Sequence, residues 1–269
     1  MVGWLHIGAL TGYVAAAVVL SRSLVAGDRT APRSAAWLAS FGAALHVAAT
    51  AAYGVRFGEL PLVGIGPSLS ILALLCALLT VPLLWLRDVR PIGVVLLPLA
   101  SVLLTVALLL GIEPSRSALA FRGLWFALHV LFTMAGYAAF AAAFAAGLLY
   151  LIQHRELKGK RFGRMFRFFP PLATLGQWQR RAIELSLVAL TVGLLVGWGW
   201  TTRFAPLPLT HPKVLWALIS WVSIVAALGA HHGGARERRG ALASVVAFAV
   251  IVASYLVLRL TESSGGAFL

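Results

Sequence analysis

Seven histidines and nine tryptophans hold most of the chemistry this sequence can offer. The histidines are His6, His46, His129, His154, His211, His231 and His232. A neutral imidazole suits iron, and two approaching from opposite sides can hold a haem axially. Two positions come with suitable surroundings. His129 stands in LWFALHVLFTMAGYAAF, where steps of three and four place Thr133, Gly136, Phe140 and Phe144 on its helix face. Small residues there leave a slot for a flat macrocycle, or equally let two helices pack closely. His211 opens HPKVLWALISW and follows the stretch GWGWTTRF. In that stretch Trp198 and Trp200, with Gly197 and Gly199, suggest an open aromatic rim, although interfacial tryptophans are also ordinary belt residues. Arg203 and Lys213 flank His211 and could meet carboxylates such as haem propionates, or simply cap helix ends.

His46 lies in the middle of a long apolar run, and an imidazole there needs a specific partner. His6 and His154 read as hydrogen-bonded residues near helix ends. Other chemistries find little support. Cys76 is the single cysteine, so no intrachain disulfide, CxxC pair or CxxCH haem-attachment site exists. Glu59, Glu113 and Glu262 fall in loops on one side, and Asp28, Asp88, Glu156 and Glu237 sit among cations on the other. Glu184 alone enters a span, close enough to Arg180 to pair with it one turn away. No carboxylate chain crosses the spans, which argues against a proton pump, and no Ser/His/Asp set, P-loop or HExxH is present.

The elements that must position these residues are dictated by composition. The chain has 269 residues, 61% hydrophobic and 11% charged, with formal charge +14. A soluble domain carries roughly 25% charged residues, so a soluble enzyme and a disordered chain are both excluded. Punctuated apolar runs predict an all-α, polytopic membrane helix bundle of about eight transmembrane helices in one domain over residues 1–269. The spans fall at roughly 3–20, 35–57, 66–86, 92–112, 123–153, 182–201, 212–231 and 240–260. The runs are too long and too continuous for barrel strands. The first run lacks a basic flank and a cleavage pattern, and is expected to be a retained helix.

The cations are unevenly divided. Sixteen of the twenty-two Lys and Arg residues fall in the loops after spans one, three, five and seven, and six fall on the other side. The positive-inside rule then predicts both termini outside and His129, His211, Trp198 and Trp200 at the outer face. The longest basic segment covers residues 155–181, where Arg161, Arg164 and Arg167 alternate with Phe162, Phe166, Phe168 and Phe169. It reads as an interfacial anchor on membrane lipids, with a docking site for a cytoplasmic partner as the alternative. Nucleic acid is not expected, because no RNA-binding module accompanies the charge.

LHVLFTMAGYAAF resembles the LHVxxMxxSYAxF stretch of the cytochrome c assembly (CcsA/ResC) family. LHVAATAAYGV is similar to that family's early LHxxxL segment, and PSLSILALLCALLTVPLLWLRDVRPIGVVLLPLA to its third and fourth helices. HPKVLWALISW looks like a shortened form of WDPKExWAxxTW, and HHGGARERRGALASVVAFAVIVASY resembles its closing segment. The likeness covers nearly the whole chain and is nearest the short HemX-like and YpjD-like branch. It implies b-type, non-covalent haem held at the outer face of the bacterial inner membrane. The implied partners are apocytochrome c and other cytochrome c assembly proteins. His129 matches the first external histidine, Trp198 and Trp200 part of the tryptophan-rich run, and His46 with His231 or His232 the membrane-embedded histidine positions. The sequence departs from the pattern where His211 replaces the motif's aspartate, Val214 its glutamate and Gly136 a serine. The tail TESSGGAFL supplies no second external histidine.

The expectation is therefore an accessory haem-handling protein of cytochrome c biogenesis rather than a standalone haem lyase, with His129 and His211 as the iron ligands. A HemX-like membrane regulator and a small-ligand transporter subunit are the alternatives. The absence of internal repeats and the scarcity of buried charge count against the transporter.

Overall fold

The structure is a computed structural model, and it describes residues 2–27, 33–86, 88–114, 123–160, 163–204, 208, 210–231 and 236–263. Among them there is no strand. The helices are α1 (Val2–Ala26), α2 (Arg33–Phe57), α3 (Ile65–Trp85), α4 (Gly93–Leu110), α5 (Leu124–Lys158), α6 (Arg164–Phe168), α7 (Leu172–Phe204), α8 (Pro212–Gly229) and α9 (Arg236–Ser263). All except the five-residue α6 are long and apolar enough to cross a membrane. In lipid only a helix satisfies its own backbone without a closed sheet. The chain is thus a multi-pass membrane protein.

Packing inverts the soluble pattern. Large apolar side chains such as Trp4, Val55, Leu109, Val188 and Leu195 are exposed, where lipid would cover them. Small residues make up a large share of the buried faces, beside buried aromatic and leucine side chains such as Tyr13, Phe140 and Leu97. On α2 the small residues are Ala35, Ala36, Ala39, Gly42, Ala43 and Ala49. Small residues let helix backbones approach closely, which is how membrane helices gain van der Waals contact without a hydrophobic driving force. Gly12 of α1 meets Gly42 of α2 in this way: a Cβ on Gly12 would lie 2.8 Å from the Gly42 Cα. One core is formed largely by α1–α4 with α5 and α6, and a second by α5, α7, α8 and α9. The long α5 belongs to both, and Ala138–Ala146 supply much of its buried surface.

Both ends of the α3–α4 pair are fixed by identifiable contacts. Between α3 and α4, the buried Arg90 donates from Nε to the Leu84 carbonyl at 2.7 Å, a cation on the last carbonyls of a helix. At the opposite end of the same pair, Gly111 follows α4 with φ 87°, a conformation that favours glycine. Its carbonyl lies where a Cβ on Gly66 would stand, and the Ala107 carbonyl would be 3.1 Å from the same atom. Gly66→Ala is therefore expected to cost roughly 1–3 kcal/mol of stability through overpacking. A thermal melt of the purified variant in detergent checks this, and an unchanged melting temperature would contradict it.

The expected spans 66–86, 92–112 and 212–231 agree with α3, α4 and α8 to within two residues at each end, and the larger differences are all extensions. α1 runs to Ala26 and α5 to Lys158, while α7 begins at Leu172 and α9 at Arg236. An apolar-run reading stops at the first cations, whereas a helix continues through them into the interface. Segment 155–181 is consequently mostly helical rather than an extended loop. Phe168 and Phe169 are 1% and 2% exposed and join the core that contains α1 and α4. Phe168 and Phe169 therefore pack against the bundle itself, where the anchor reading placed the aromatics in the lipid interface, and Phe162 lies outside the described residues. Glu184 pairs with Arg180 at 2.8 Å across one turn, as its spacing suggested.

Candidate functional site

α5 and α7 make the most extensive helix pair in the bundle, and His129 sits in their seam. Two glycines of α7, one turn apart, create its seat. A Cβ on Gly193 would press on Thr133, and one on Gly197 would enter the His129 ring itself. Nδ1 of His129 lies 2.7 Å from the Gly193 carbonyl. A carbonyl only accepts, so Nδ1 carries the proton, and in the neutral ring the lone pair is on Nε2. This is the arrangement by which a backbone carbonyl orients a metal-binding histidine and raises its basicity. The half-buried ring of His129 therefore fits the role of an iron ligand.

Aromatic side chains gather at the same seam. Trp125, one turn before His129, donates from Nε1 to the Val196 carbonyl at 3.0 Å. Phe126 meets Trp200 with ring centroids 5.8 Å apart. Trp125 and Phe126 were not singled out by sequence reading, and neither was Gly193. A small-xxx-small pattern, Gly193 with Gly197, was the available signal. The expected slot beside His129 is filled by α7. A Cβ on Gly136 would lie 3.0 Å from the Leu190 backbone nitrogen, so this face serves helix packing. The glycines of GWGW likewise face α5 and form no open rim. Trp198 points away and is 57% exposed, as an interfacial belt residue would be.

His211 has a different local job. It is the N-cap of α8, followed by Pro212 at the first helical position. Its Nδ1 accepts from the backbone N–H of Lys213 at 3.3 Å. The neutral ring then carries its proton on Nε2, the opposite tautomer to His129, and neither nitrogen offers iron a lone pair in this arrangement. α8 itself packs on α9 and α7. Arg203 is exposed in the last turn of α7, and Lys213 is half-buried in the first turn of α8. Among the described residues no group of three or more His, Cys, Asp or Glu side chains could hold a metal ion.

The other histidines lie elsewhere. His46 is fully buried, with Nδ1 3.1 Å from the Tyr13 hydroxyl and Nε2 2.9 Å from Ser70 Oγ. Both ring nitrogens are engaged, so the ring does not fit an iron ligand as it stands. His6, near the start of α1, is buried in the bundle. It donates from Nδ1 to the Val2 carbonyl at 2.9 Å and meets the His46 ring edge-on at 5.2 Å. His231 is buried after α8, its ring pressed on Gly240 of α9. His154 stacks on Tyr150 at 6.0 Å. His232 lies outside the described residues.

Comparison with known proteins finds sequence relatives of this chain. The chain is 31% identical over 136 residues to an uncharacterized 28.8 kDa protein in a nifR3-like 5' region of Azospirillum brasilense, covering 49% of this chain and 50% of that protein. It is 32% identical over 72 residues to Protein HemX of Brevibacillus brevis, covering 27% of this chain and 26% of HemX. The chain thus spans half or less of the length of these relatives. The profile of the cytochrome C assembly protein family matches residues 65–264, from the start of α3 to the end of α9. That match takes in the α5–α7 seam, His129 and His211 together, and the chain belongs to the cytochrome c assembly protein family.

Proposed function

We propose that this protein serves cytochrome c biogenesis by holding haem at the His129 end of the α5–α7 seam. The observation that carries the reading is the Nδ1 hydrogen bond to the Gly193 carbonyl, which leaves Nε2 of a half-buried histidine as the lone-pair nitrogen. When bound, haem would supply the iron and the group to be delivered. The chain's own contribution is to orient the ligand through Gly193 and to flank it with Trp125, Phe126 and Trp200. Arg203 and Lys213, on the helix ends nearest in sequence, are suited to propionates. His211, as found, caps α8, and it becomes a second ligand only if that cap opens. The division of cations supports placing this end outside the cytoplasmic membrane of a bacterium, with apocytochrome c and other assembly proteins as partners.

A second reading, a membrane regulator of haem metabolism, is favoured by the similarity to HemX. Both readings require haem to bind. The deciding experiment is to add ferric haem to the purified protein in detergent and record the visible spectrum before and after dithionite. A shifted, sharpened Soret band that saturates near one haem per chain is expected. A spectrum indistinguishable from free haem in the same detergent would overturn the proposal.

A further inference from the structure

A groove of about 660 Å³ opens on the bundle surface between α1 and α4, far in the chain from the α5–α7 seam. Its α1 wall carries Val14, Val18 and Arg22, which follow one another at steps of four on one helix face. Its α4 wall carries Pro98, Ser101 and Val102. The Ser101 hydroxyl is already turned back to the Leu97 carbonyl at 2.8 Å, so the wall presents hydrocarbon rather than a donor. Val14, Val18 and Val102 are 44%, 44% and 59% exposed. Beside the groove α1 and α4 approach closely, a Cβ on Gly93 lying 3.1 Å from the Leu20 side chain.

Its length and charge specify the occupant. Lining residues on α1 run from Val14 to Ala26, which is about 18 Å of helix. Val14 is the midpoint of the 25-residue α1, so the groove runs from the middle of this span to its C-terminal end. Half of a hydrocarbon core is about 15 Å, the depth of one leaflet. Arg22 is the one charged residue among the described residues lining the groove, and it stands near the C-terminal end of α1. That is also the end at which most of the cations gather. A bare apolar groove would take any acyl chain, but a cation at headgroup depth selects for an anion.

We propose that this groove binds one anionic phospholipid, with an acyl chain along Val14, Val18 and Val102 and its phosphate at Arg22. The site is independent of haem. The test uses the full chain in dodecyl maltoside with phosphatidylglycerol or phosphatidylcholine added back, read by native mass spectrometry and by thermal melting. Phosphatidylglycerol should be retained at least tenfold more tightly than phosphatidylcholine and should raise the melting temperature. Arg22→Gln should reduce phosphatidylglycerol to the phosphatidylcholine level, while Arg22→Lys keeps the preference. Val18→Trp, which fills the groove, should lose retention of both lipids. Equal retention of the two lipids by the unaltered protein would overturn the proposal, as would an unchanged preference in Arg22→Gln or undiminished binding in Val18→Trp.

Discussion

His129→Ala should lower haem affinity at least about a hundredfold, and Gly197→Ala roughly 10–100-fold without touching the ligand, the range expected when a ligand's orienting contacts are lost. The first variant removes the nitrogen. The second adds one methyl group where the His129 ring already sits. The ring cannot keep its place, and the Nδ1 bond to the Gly193 carbonyl, 2.7 Å long, is lost with it. Gly199→Ala is the internal control. Its Cβ would meet Trp125 at 3.4 Å, an ordinary contact, so haem affinity should stay within about twofold. Titration of ferric haem against the Soret band reads all three. His211→Ala separates the two histidines further. Loss of an N-cap should cost about 0.5–2 kcal/mol of stability and leave haem affinity nearly intact. If Gly197→Ala binds haem like the unaltered protein, His129 is not held as the seam suggests, and the ligand assignment falls.

Sequence periodicity could locate eight spans because each apolar run is long and the charges between them are few. It could not find helix ends, since Arg236 and Lys158 are helical although charged, and hydropathy sees only their charge. The α5 face containing Thr133 and Gly136 permitted two outcomes, a ligand slot or a helix seam. Choosing between them needed the α7 partner, which lies about sixty residues away. Gly193 carried a usable signal in its spacing from Gly197, and HPK carried another, a capping residue followed by proline. Both signals speak of helix geometry. Reading His211 only as a metal donor overlooked the cheaper role that its own turn offers it. Tyr13 and Ser70, the partners of His46, leave no local mark at all, because three different helices bring them together.

His46→Ala is expected to cost about 2–4 kcal/mol of stability while leaving haem binding unchanged, because the ring joins three helices through both nitrogens. In a neutral imidazole one nitrogen donates and the other accepts, and a hydroxyl can do either. Tyr13 on α1 and Ser70 on α3 therefore satisfy His46 on α2 in both tautomers. Removing the ring opens a cavity in a fully buried site and strands two hydroxyls where water does not compensate them. Tyr13→Phe and Ser70→Ala each remove one bond, and in membranes such bonds average about 0.6 kcal/mol. Each single change should therefore be much milder than loss of the imidazole. Tyr13→Phe combined with His46→Ala should cost less than the two alone, since the stranded phenol is gone. Melting curves of the four variants in one detergent measure this, and the Soret titration provides the independent readout. If His46→Ala abolishes the Soret shift while its melting temperature holds, His46 is a ligand, and the polar junction of α1, α2 and α3 exists for haem. If the melt falls and the titration holds, the junction locks the first three helices, and the haem chemistry belongs to α5 and α7.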